Sequence, residues 1–233
     1  MATKYKHILF DLDNTLWDFE TNSEKTLLEM FIKYELDKVF DSFVHFHTLY
    51  IFRNTQLWYS YNNKQINKKF LNFERFNYPL QQVGIDNPEL VKTLSFDYLQ
   101  VCATQKALMP HANEILEYLK ENKYHMHILS NGFEEVQYLK LKNSGLDKYF
   151  EHIILSEKAG ALKPDKRIFN YAITSLNARK KEVIMIGDNF EADIEGAKNA
   201  GIDQLYYNPK GQPAISFNPT HMVSSLSEIK SIL

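Results

Sequence analysis

Short, continuous apolar runs recur along the chain, and each of them is closed by polar residues. Such runs are typical of strands that are buried on both faces of a parallel sheet. Helical patterns lie between them, for example after Pro110 and after Asp165. The alternation predicts a doubly wound, Rossmann-like α/β fold with a parallel sheet. Its strands are expected at 6–10, 126–129, 152–155, 183–186 and 204–207, with a weaker one at 222–223.

One connection in this pattern is too long for a crossover between neighbouring strands. The helix after Pro110 already suffices to join the first two strands, so residues 17–107 are surplus to the sheet. Thr21 and Glu24 predict a capping box, and apolar residues follow it at helical spacing. A structureless loop of this length is uncommon inside a compact domain. We therefore expect a catalytic core of residues 1–16 and 108–233, with a helical cap of residues 17–107 inserted into it.

The charge balance and the cysteine content narrow the partners and the compartment. Of 233 residues, 27 are basic and 29 are acidic, so the formal net charge is −2. This balance favours neither nucleic acid nor an anionic membrane as a partner. Cys102 is the only cysteine, which excludes an internal disulfide and indicates a reducing compartment. No apolar run reaches the ~18 residues of a membrane helix, and no signal-peptide pattern is present. We expect a cytoplasmic protein; its oligomeric state stays open.

Polar side chains follow the predicted strands where open α/β sheets bind their ligands. Asp11 and Asp13 come directly after the first strand, and Asp188 follows the fourth. Crowded carboxylates disfavour each other's ionisation unless a cation lies between them. Mg²⁺ suits a site with few carboxylates, several waters and a substrate phosphate. The sequence therefore predicts Mg²⁺ as the cofactor. The same edge is expected to receive Ser130, Asn131, Lys163 and Asp193.

The segments that carry these residues resemble the four signature motifs of the haloacid dehalogenase (HAD) superfamily. They occur in the family's order and read ILFDLDNT, ILSN, ALKPD and IGDNFEADI. The insertion after the first motif resembles the helical C1-type cap. The resemblance implies that Asp11 is the nucleophile that becomes an aspartyl phosphate. It implies that Asp13 protonates the leaving alkoxide and then deprotonates the hydrolytic water.

The same resemblance implies roles for the remaining motif residues. Mg²⁺ would be bound by Asp11, by Asp188 and by the backbone carbonyl of Asp13. Ser130 and Asn131 would hold the phosphoryl oxygens, and Lys163 would neutralise the charge that develops on those oxygens. Asp193 would lie behind these groups, near Lys163 or a metal-bound water.

Parts of the insertion resemble a bacterial branch of nucleoside 5′-monophosphatases that prefer pyrimidines. The resembling segments are TLWDFETN, residues 54–61, Ile66 and residues 74–76. The resemblance implies a small phosphorylated metabolite as partner, with Trp17, Trp58 and Arg75 as candidate contacts for a nucleotide. Lys64 and His111 depart from the branch, because glycine is common among relatives at both positions. Neither departure touches the four motifs, but both leave the substrate open.

Two alternatives stay open at this point. Phosphatases and mutases of the superfamily share the four motifs, so the chain could be a phosphatase or a mutase that acts on a sugar phosphate or phosphoglycolate. A non-catalytic binding protein on the same fold is a further reading. Dehalogenation is disfavoured, because the superfamily's dehalogenases generally lack an aspartate at the position of Asp13.

Overall fold

Six strands among the described residues form one parallel sheet in the computed structural model, which describes residues 4–213 and 216–233. Their spatial order is β3-β2-β1-β4-β5-β6. The predicted doubly wound fold is confirmed, and each predicted strand lies within two residues of its observed bounds. The strands are β1 His7–Phe10, β2 His125–Ser130, β3 His152–Leu155, β4 Val183–Gly187, β5 Asp203–Tyr207 and β6 His221–Val223.

The central strand β1 shows why the apolar runs are continuous. Ile8, Leu9 and Phe10 are all fully buried, although successive side chains of a strand point to opposite faces. Phe10 pairs in parallel register with Ile128 of β2 and Ile186 of β4. The carboxyl ends of these three strands therefore lie side by side, and the residues that follow them meet at one edge of the sheet.

Two compact units make up the chain. The first comprises the chain up to Phe19 together with Lys106–Leu233, and the second is Glu20–Gln105. The two segments that join them run side by side inside the first unit: Trp17 bridges to Leu108, and Met109 N donates to Leu16 O at 2.9 Å. The chain therefore leaves the first unit after Phe19 and returns to it at Lys106, and the two flanking segments are paired with each other.

Helices of the first unit lie between the strands. Asp165 caps α8 by accepting a hydrogen bond from Arg167 N at 3.0 Å, as the sequence predicts. The helix expected after Pro110 begins two residues later, after His111 in a left-handed conformation with φ 65°. The helices are α5 Ala112–Glu121, α6 Glu134–Ser144, α7 Ser156–Ala159, α8 Lys166–Ser175 and α9 Gly196–Asn199, with a π-helical turn Phe190–Glu195 and 3₁₀ turns Asp147–Tyr149, Lys180–Glu182 and Leu226–Ser231.

The second unit is helical, as expected for residues within the insertion. Its elements are α1 Phe19–Lys33, a 3₁₀ turn Leu36–Lys38, α2 Phe43–Asn62, α3 Lys68–Gln82 and α4 Pro88–Cys102. Its core is aromatic: Tyr50 packs on Phe76 at 5.2 Å between ring centroids and on Tyr98 at 5.6 Å. The rings of Tyr50, Phe76 and Tyr98 thus serve packing.

The capping box predicted at Thr21 and Glu24 is wrong. Helix α1 begins at Phe19, so Thr21 lies inside its first turn. Phe19 N donates instead to the side-chain oxygen of Asn14 at 3.1 Å. Asn14 has φ 62°, a left-handed conformation that asparagine tolerates better than most residues. No helix in the described part of the chain combines the length and apolarity that a membrane crossing needs.

Candidate active site

The centre of the site is a buried ion pair between Lys163 and two aspartates. Asp11 follows β1, and its backbone N–H donates to Ile186 O of β4 at 2.9 Å. Lys163 Nζ lies 2.5 Å from Asp11 Oδ1 and 2.6 Å from Asp193 Oδ1, and it also donates to Leu129 O at 2.8 Å. Three acceptors thus hold the ammonium in one place. The structure brings together residues from all four motifs at this point.

Burial and like charge together shape the acid–base properties of these groups. Burial raises the pKa of the Asp11 carboxyl well above its usual value, although Lys163 opposes the rise. Burial and the carboxylate of Asp193 raise the pKa of Asp188 to about 7. Burial acts to lower the pKa of Lys163, but the carboxylates of Asp11 and Asp193 outweigh it and raise that pKa above its usual range. The lysine is therefore a fixed positive charge.

Three carboxylates at this edge are close enough to share a cation. Ligand oxygens of Asp11, Asp188 and Asp193 all lie within 4.8 Å of one another. Lys163 is the one ammonium among the described residues that contacts the cluster, so the ionised cluster carries two surplus negative charges. Hard oxygen donors with surplus negative charge fit a divalent cation such as Mg²⁺. The residues present therefore fit the metal that the sequence predicts, and a carboxylate cluster that could bind a metal is part of the structure.

Thr15 fixes the orientation of Asp188. Its hydroxyl donates to Asp188 Oδ1 at 2.9 Å and accepts from Asp188 N at 3.1 Å. Thr15 is fully buried, so water does not compete for these bonds. The reciprocal pair joins the segment after β1 to the segment after β4.

The position of the Asp193 carboxylate depends on Gly187. A Cβ atom added at Gly187 would lie 2.2 Å from Asp193 Oδ2, so no larger residue fits at the end of β4 beside this carboxylate. Asp193 Oδ2 accepts from Asn189 N at 3.1 Å, while Oδ1 faces Lys163. The π-helical turn Phe190–Glu195 carries the residue, and such turns often mark functional sites.

The carboxylate of Asp13 is contacted by helix α6. It is not a member of the cluster, which Asp11, Asp188 and Asp193 form. Its two oxygens are contacted from helix α6, Oδ1 by Lys140 Nζ at 2.6 Å and Oδ2 by Gln137 Nε2 at 2.9 Å. For Asp13, only the backbone carbonyl proposed from the resemblance stays a candidate metal ligand. Sequence reasoning missed Gln137 and Lys140.

Ser130 ends β2 with its hydroxyl oxygen occupied from two sides. Ser130 Oγ accepts from Gly132 N at 3.1 Å and from Gln137 Nε2 at 2.8 Å. With both lone pairs used, the hydroxyl proton is what Ser130 offers to a phosphoryl oxygen.

The side chain of Asn131 is hydrogen-bonded to the backbone of Lys163. Its Oδ1 accepts from Lys163 N at 2.8 Å, and its Nδ2 donates to Lys163 O at 3.0 Å. Asn131 therefore positions Lys163.

The three predicted nucleotide contacts lie in different environments. Trp17 is fully buried, and the ammonium of Lys140 lies 4.2 Å from its ring centroid. Arg75 is only 2% exposed, lies over the ring of Tyr98 at 4.6 Å and donates to Asn72. The side chains of Trp17 and Arg75 are thus too buried to contact a base in this structure. Trp58 is partly exposed and packs edge-on against Tyr61 at 5.6 Å.

Comparison with known proteins identifies the family. Residues 5–201 match the family described as haloacid dehalogenase-like hydrolase. The chain belongs to this family. The predicted HAD membership is thereby confirmed.

This HAD hydrolase is similar over nearly its whole length to curated enzymes. It is 31% identical to pyrimidine 5′-nucleotidase YjjG of Escherichia coli, over 99% of the chain and 98% of that protein. It is 31% identical to pyrimidine 5′-nucleotidase PynA of Streptococcus pneumoniae, over 98% of the chain and 95% of that protein. The crystal structure of the HAD-hydrolase YfnB of Bacillus subtilis, bound to magnesium, matches with a TM-score of 0.87 at 27% identity and covers 99% of both chains. The chain is accordingly a HAD-family phosphatase.

Proposed function

We propose that this protein is a Mg²⁺-dependent phosphomonoesterase that forms an aspartyl phosphate on Asp11 and acts on nucleoside 5′-monophosphates. The observation that carries the chemistry is the contact of Asp11 with the buried ammonium of Lys163, beside the carboxylates of Asp188 and Asp193. A nucleophile, a fixed positive charge and a metal-binding cluster at one edge are the parts that phosphoryl transfer needs.

In the first half-reaction the carboxylate of Asp11 attacks phosphorus and displaces the substrate's alkoxide. The bond from phosphorus to the leaving oxygen breaks as the acyl phosphate forms, and Asp13 supplies the proton that the alkoxide takes up. Lys163 neutralises negative charge on the phosphoryl oxygens, and the hydroxyl of Ser130 donates to one of them. The backbone N–H of Asn131 is proposed as a further donor.

In the second half-reaction water attacks the phosphorus of the acyl phosphate. Asp13, now a carboxylate, takes the proton of the water, inorganic phosphate leaves and the carboxylate of Asp11 is regenerated. When bound, Mg²⁺ would supply positive charge to the transferring group, held by Asp11, Asp188 and the backbone carbonyl of Asp13, with Asp193 behind them. The magnesium in the YfnB structure supports this assignment.

The nucleotide assignment is supported by full-length similarity to two pyrimidine 5′-nucleotidases. We propose that the inserted unit is a C1-type cap and contributes to substrate choice, since it departs from the first unit a few residues beyond Asp13. Trp58 is the predicted contact with a partly exposed ring. The small phosphorylated substrate and the single cysteine are consistent with a cytoplasmic enzyme.

The proposal is tested by comparing kcat/KM across phosphate esters in the presence of Mg²⁺. The panel contains UMP, dUMP and dTMP beside sugar phosphates and phosphoglycolate, with Asp11→Asn as the inactive control. The nucleotides are expected to give the highest values. A wide margin in favour of a sugar phosphate or phosphoglycolate would overturn the nucleotide assignment and leave the chemistry in place.

A further inference from the structure

Helix α6 turns two polar side chains into the interior of the first unit. Gln137 is fully buried and Lys140 is 3% exposed. Residues three positions apart lie on the same face of a helix, so the two side chains act at one place. Burying an ammonium group is costly unless it gains a partner of opposite charge and good geometry. Packing alone therefore does not explain why these two polar side chains are buried.

Their partner is the carboxylate of Asp13. Lys140 Nζ lies 2.6 Å from Oδ1 and Gln137 Nε2 lies 2.9 Å from Oδ2, so each oxygen receives one donor. Two contacts from one rigid helix fix both the rotamer and the plane of the carboxylate. The side chain of Asp13 nevertheless stays 28% exposed, and so it remains accessible to a reacting molecule.

The two donors are themselves held in place. The ammonium of Lys140 lies 4.2 Å from the ring centroid of Trp17 and 5.2 Å from that of Phe19, within the range of cation–π attraction. A Cβ atom at Gly132 would lie 2.1 Å from Gln137 Nε2, so the glycine makes room for the amide. That amide also donates to Ser130 Oγ at 2.8 Å and thereby connects Asp13 with the proposed phosphoryl contact.

We propose that Lys140 and Gln137 are positioning residues for Asp13. They hold its carboxylate in the orientation that serves the leaving oxygen in the first half-reaction and the water in the second. Packing alone does not require them, because apolar replacement of a buried ion pair is often neutral or stabilising. The inference rests on the proposed function, in which Asp13 is the general acid and base.

A positioning residue of this kind acts only through the group that it orients. Displacing a reacting group by about 1 Å costs on the order of a hundredfold in rate. The loss depends on the leaving group, since a good leaving group needs little protonation. It also disappears once Asp13 has lost its carboxylate, because residues that act as one unit are not additive.

The test is a double-mutant cycle of Lys140→Met and Asp13→Asn. kcat and KM are measured for the best nucleotide or other alkyl phosphate and for p-nitrophenyl phosphate. Lys142→Met is the matched control, since this lysine is exposed on the same helix. Lys140→Arg keeps the charge and is expected to restore part of the rate. If Lys140→Met does not fold, as judged by thermal melting, Gln137→Met takes its place in the same cycle.

We expect Lys140→Met to lower kcat for the alkyl phosphate by roughly tenfold to a hundredfold with little change in KM, and to lower it less for p-nitrophenyl phosphate. In the Asp13→Asn background the same substitution should cause no further loss. An equal loss in both backgrounds, or a loss seen only in KM, would overturn the positioning role alone. If Asp13→Asn keeps full activity on alkyl phosphates, the acid–base role fails and the positioning role fails with it.

Discussion

The ammonium of Lys163 lies 2.5 Å from the carboxylate of Asp11 although 152 positions of sequence separate the two residues. Both side chains are nearly enclosed, with 3% and 12% of their surfaces exposed. The contact joins the loop before α8 to the end of the central strand. Removing Lys163 leaves the carboxylates of Asp11 and Asp193 buried without their ammonium partner, and that loss leads to the first prediction.

Lys163→Met should impair both turnover and stability. Loss of one group that stabilises transition-state charge costs about 10² to 10³ in kcat. Breaking a buried pair by removing one partner costs about 3–5 kcal/mol in the free energy of unfolding. Steady-state kinetics and urea denaturation measure the two effects. Lys166→Met, at an exposed lysine three positions away, should change neither. Near-normal turnover in the Lys163 variant would contradict the role given to this ammonium.

Thr15→Val should weaken metal binding while the fold persists. The valine keeps the shape but removes both hydrogen bonds that hold Asp188. Losing partners that orient a metal ligand typically costs about 10–100-fold in affinity. The measurement is the Mg²⁺ concentration that gives half-maximal activity. Thr15→Ser restores the hydroxyl and should restore most of the affinity, whereas an unchanged Mg²⁺ requirement in Thr15→Val would speak against Asp188 as a ligand.

Some parts of this structure could be predicted from sequence and others could not, for physical reasons. The three residues before Asp11 are all apolar because β1 is covered on both faces, and that signal is local. Gln137 and Lys140 escaped notice because polar residues within a helix normally face solvent, and only the fold shows that these face Asp13. When the burial of a polar side chain depends on partners that are distant in sequence, the local sequence pattern does not predict it.

One further expectation fails for a related reason, and the one that concerns Trp17 stays a prediction. Thr21 does not cap helix α1, because the helix begins earlier, at Phe19, where Asn14 accepts a hydrogen bond from the N–H of Phe19. An aromatic ring such as Trp17 reads equally well as a stacking platform or as a buried side chain, and the structure places it in the interior. The Gly132 and Gly187 positions offered a usable signal, since each follows or ends a strand where a polar side chain approaches closely.

His127 should make the protein less stable in acid. Burial lowers its pKa to about 3, and the other histidines around it, His7, His152 and His125, act in the same direction. The pKa of His7 is also lowered by burial and by His125, while Glu151 and Glu182 oppose the shift and Lys6 adds to it. In the unfolded chain a histidine has a pKa of about 6.5. Between these values the unfolded state binds more protons, so stability falls as pH falls.

The contribution of His127 is therefore fully present above about pH 6.5 and is lost progressively toward pH 3, at up to about 1.4 kcal/mol per pH unit for one proton. Urea denaturation at a series of pH values should show this slope. His127→Leu should flatten it, whereas His111→Asn, at an exposed position whose left-handed backbone suits asparagine, should not. If the free energy of unfolding of His127→Leu depends on pH as steeply as that of the wild type, groups other than His127 cause the loss of stability in acid.

Trp58→Ala should weaken nucleotide binding selectively. Stacking of a base on an aromatic ring is worth about 1–3 kcal/mol, which corresponds to roughly tenfold to a hundredfold in KM. The KM for p-nitrophenyl phosphate should hardly change, because this substrate lacks a base. Tyr59→Ala removes an exposed ring from the same helix and serves as the control. Equal effects on both substrates, or an effect of Tyr59→Ala as large as that of Trp58→Ala, would remove Trp58 from the binding site.

The most direct test of the account is to look for the phosphoryl group on Asp11. The enzyme is mixed with substrate and Mg²⁺, quenched in acid within a turnover, and its peptides are analysed by mass spectrometry. Asp13→Asn is included with p-nitrophenyl phosphate, whose good leaving group needs little protonation, so that slower hydrolysis lets the intermediate accumulate. The account predicts one phosphoryl group on Asp11 and none in Asp11→Asn. A phosphoryl group on another residue, or turnover that persists in Asp11→Asn, would contradict it.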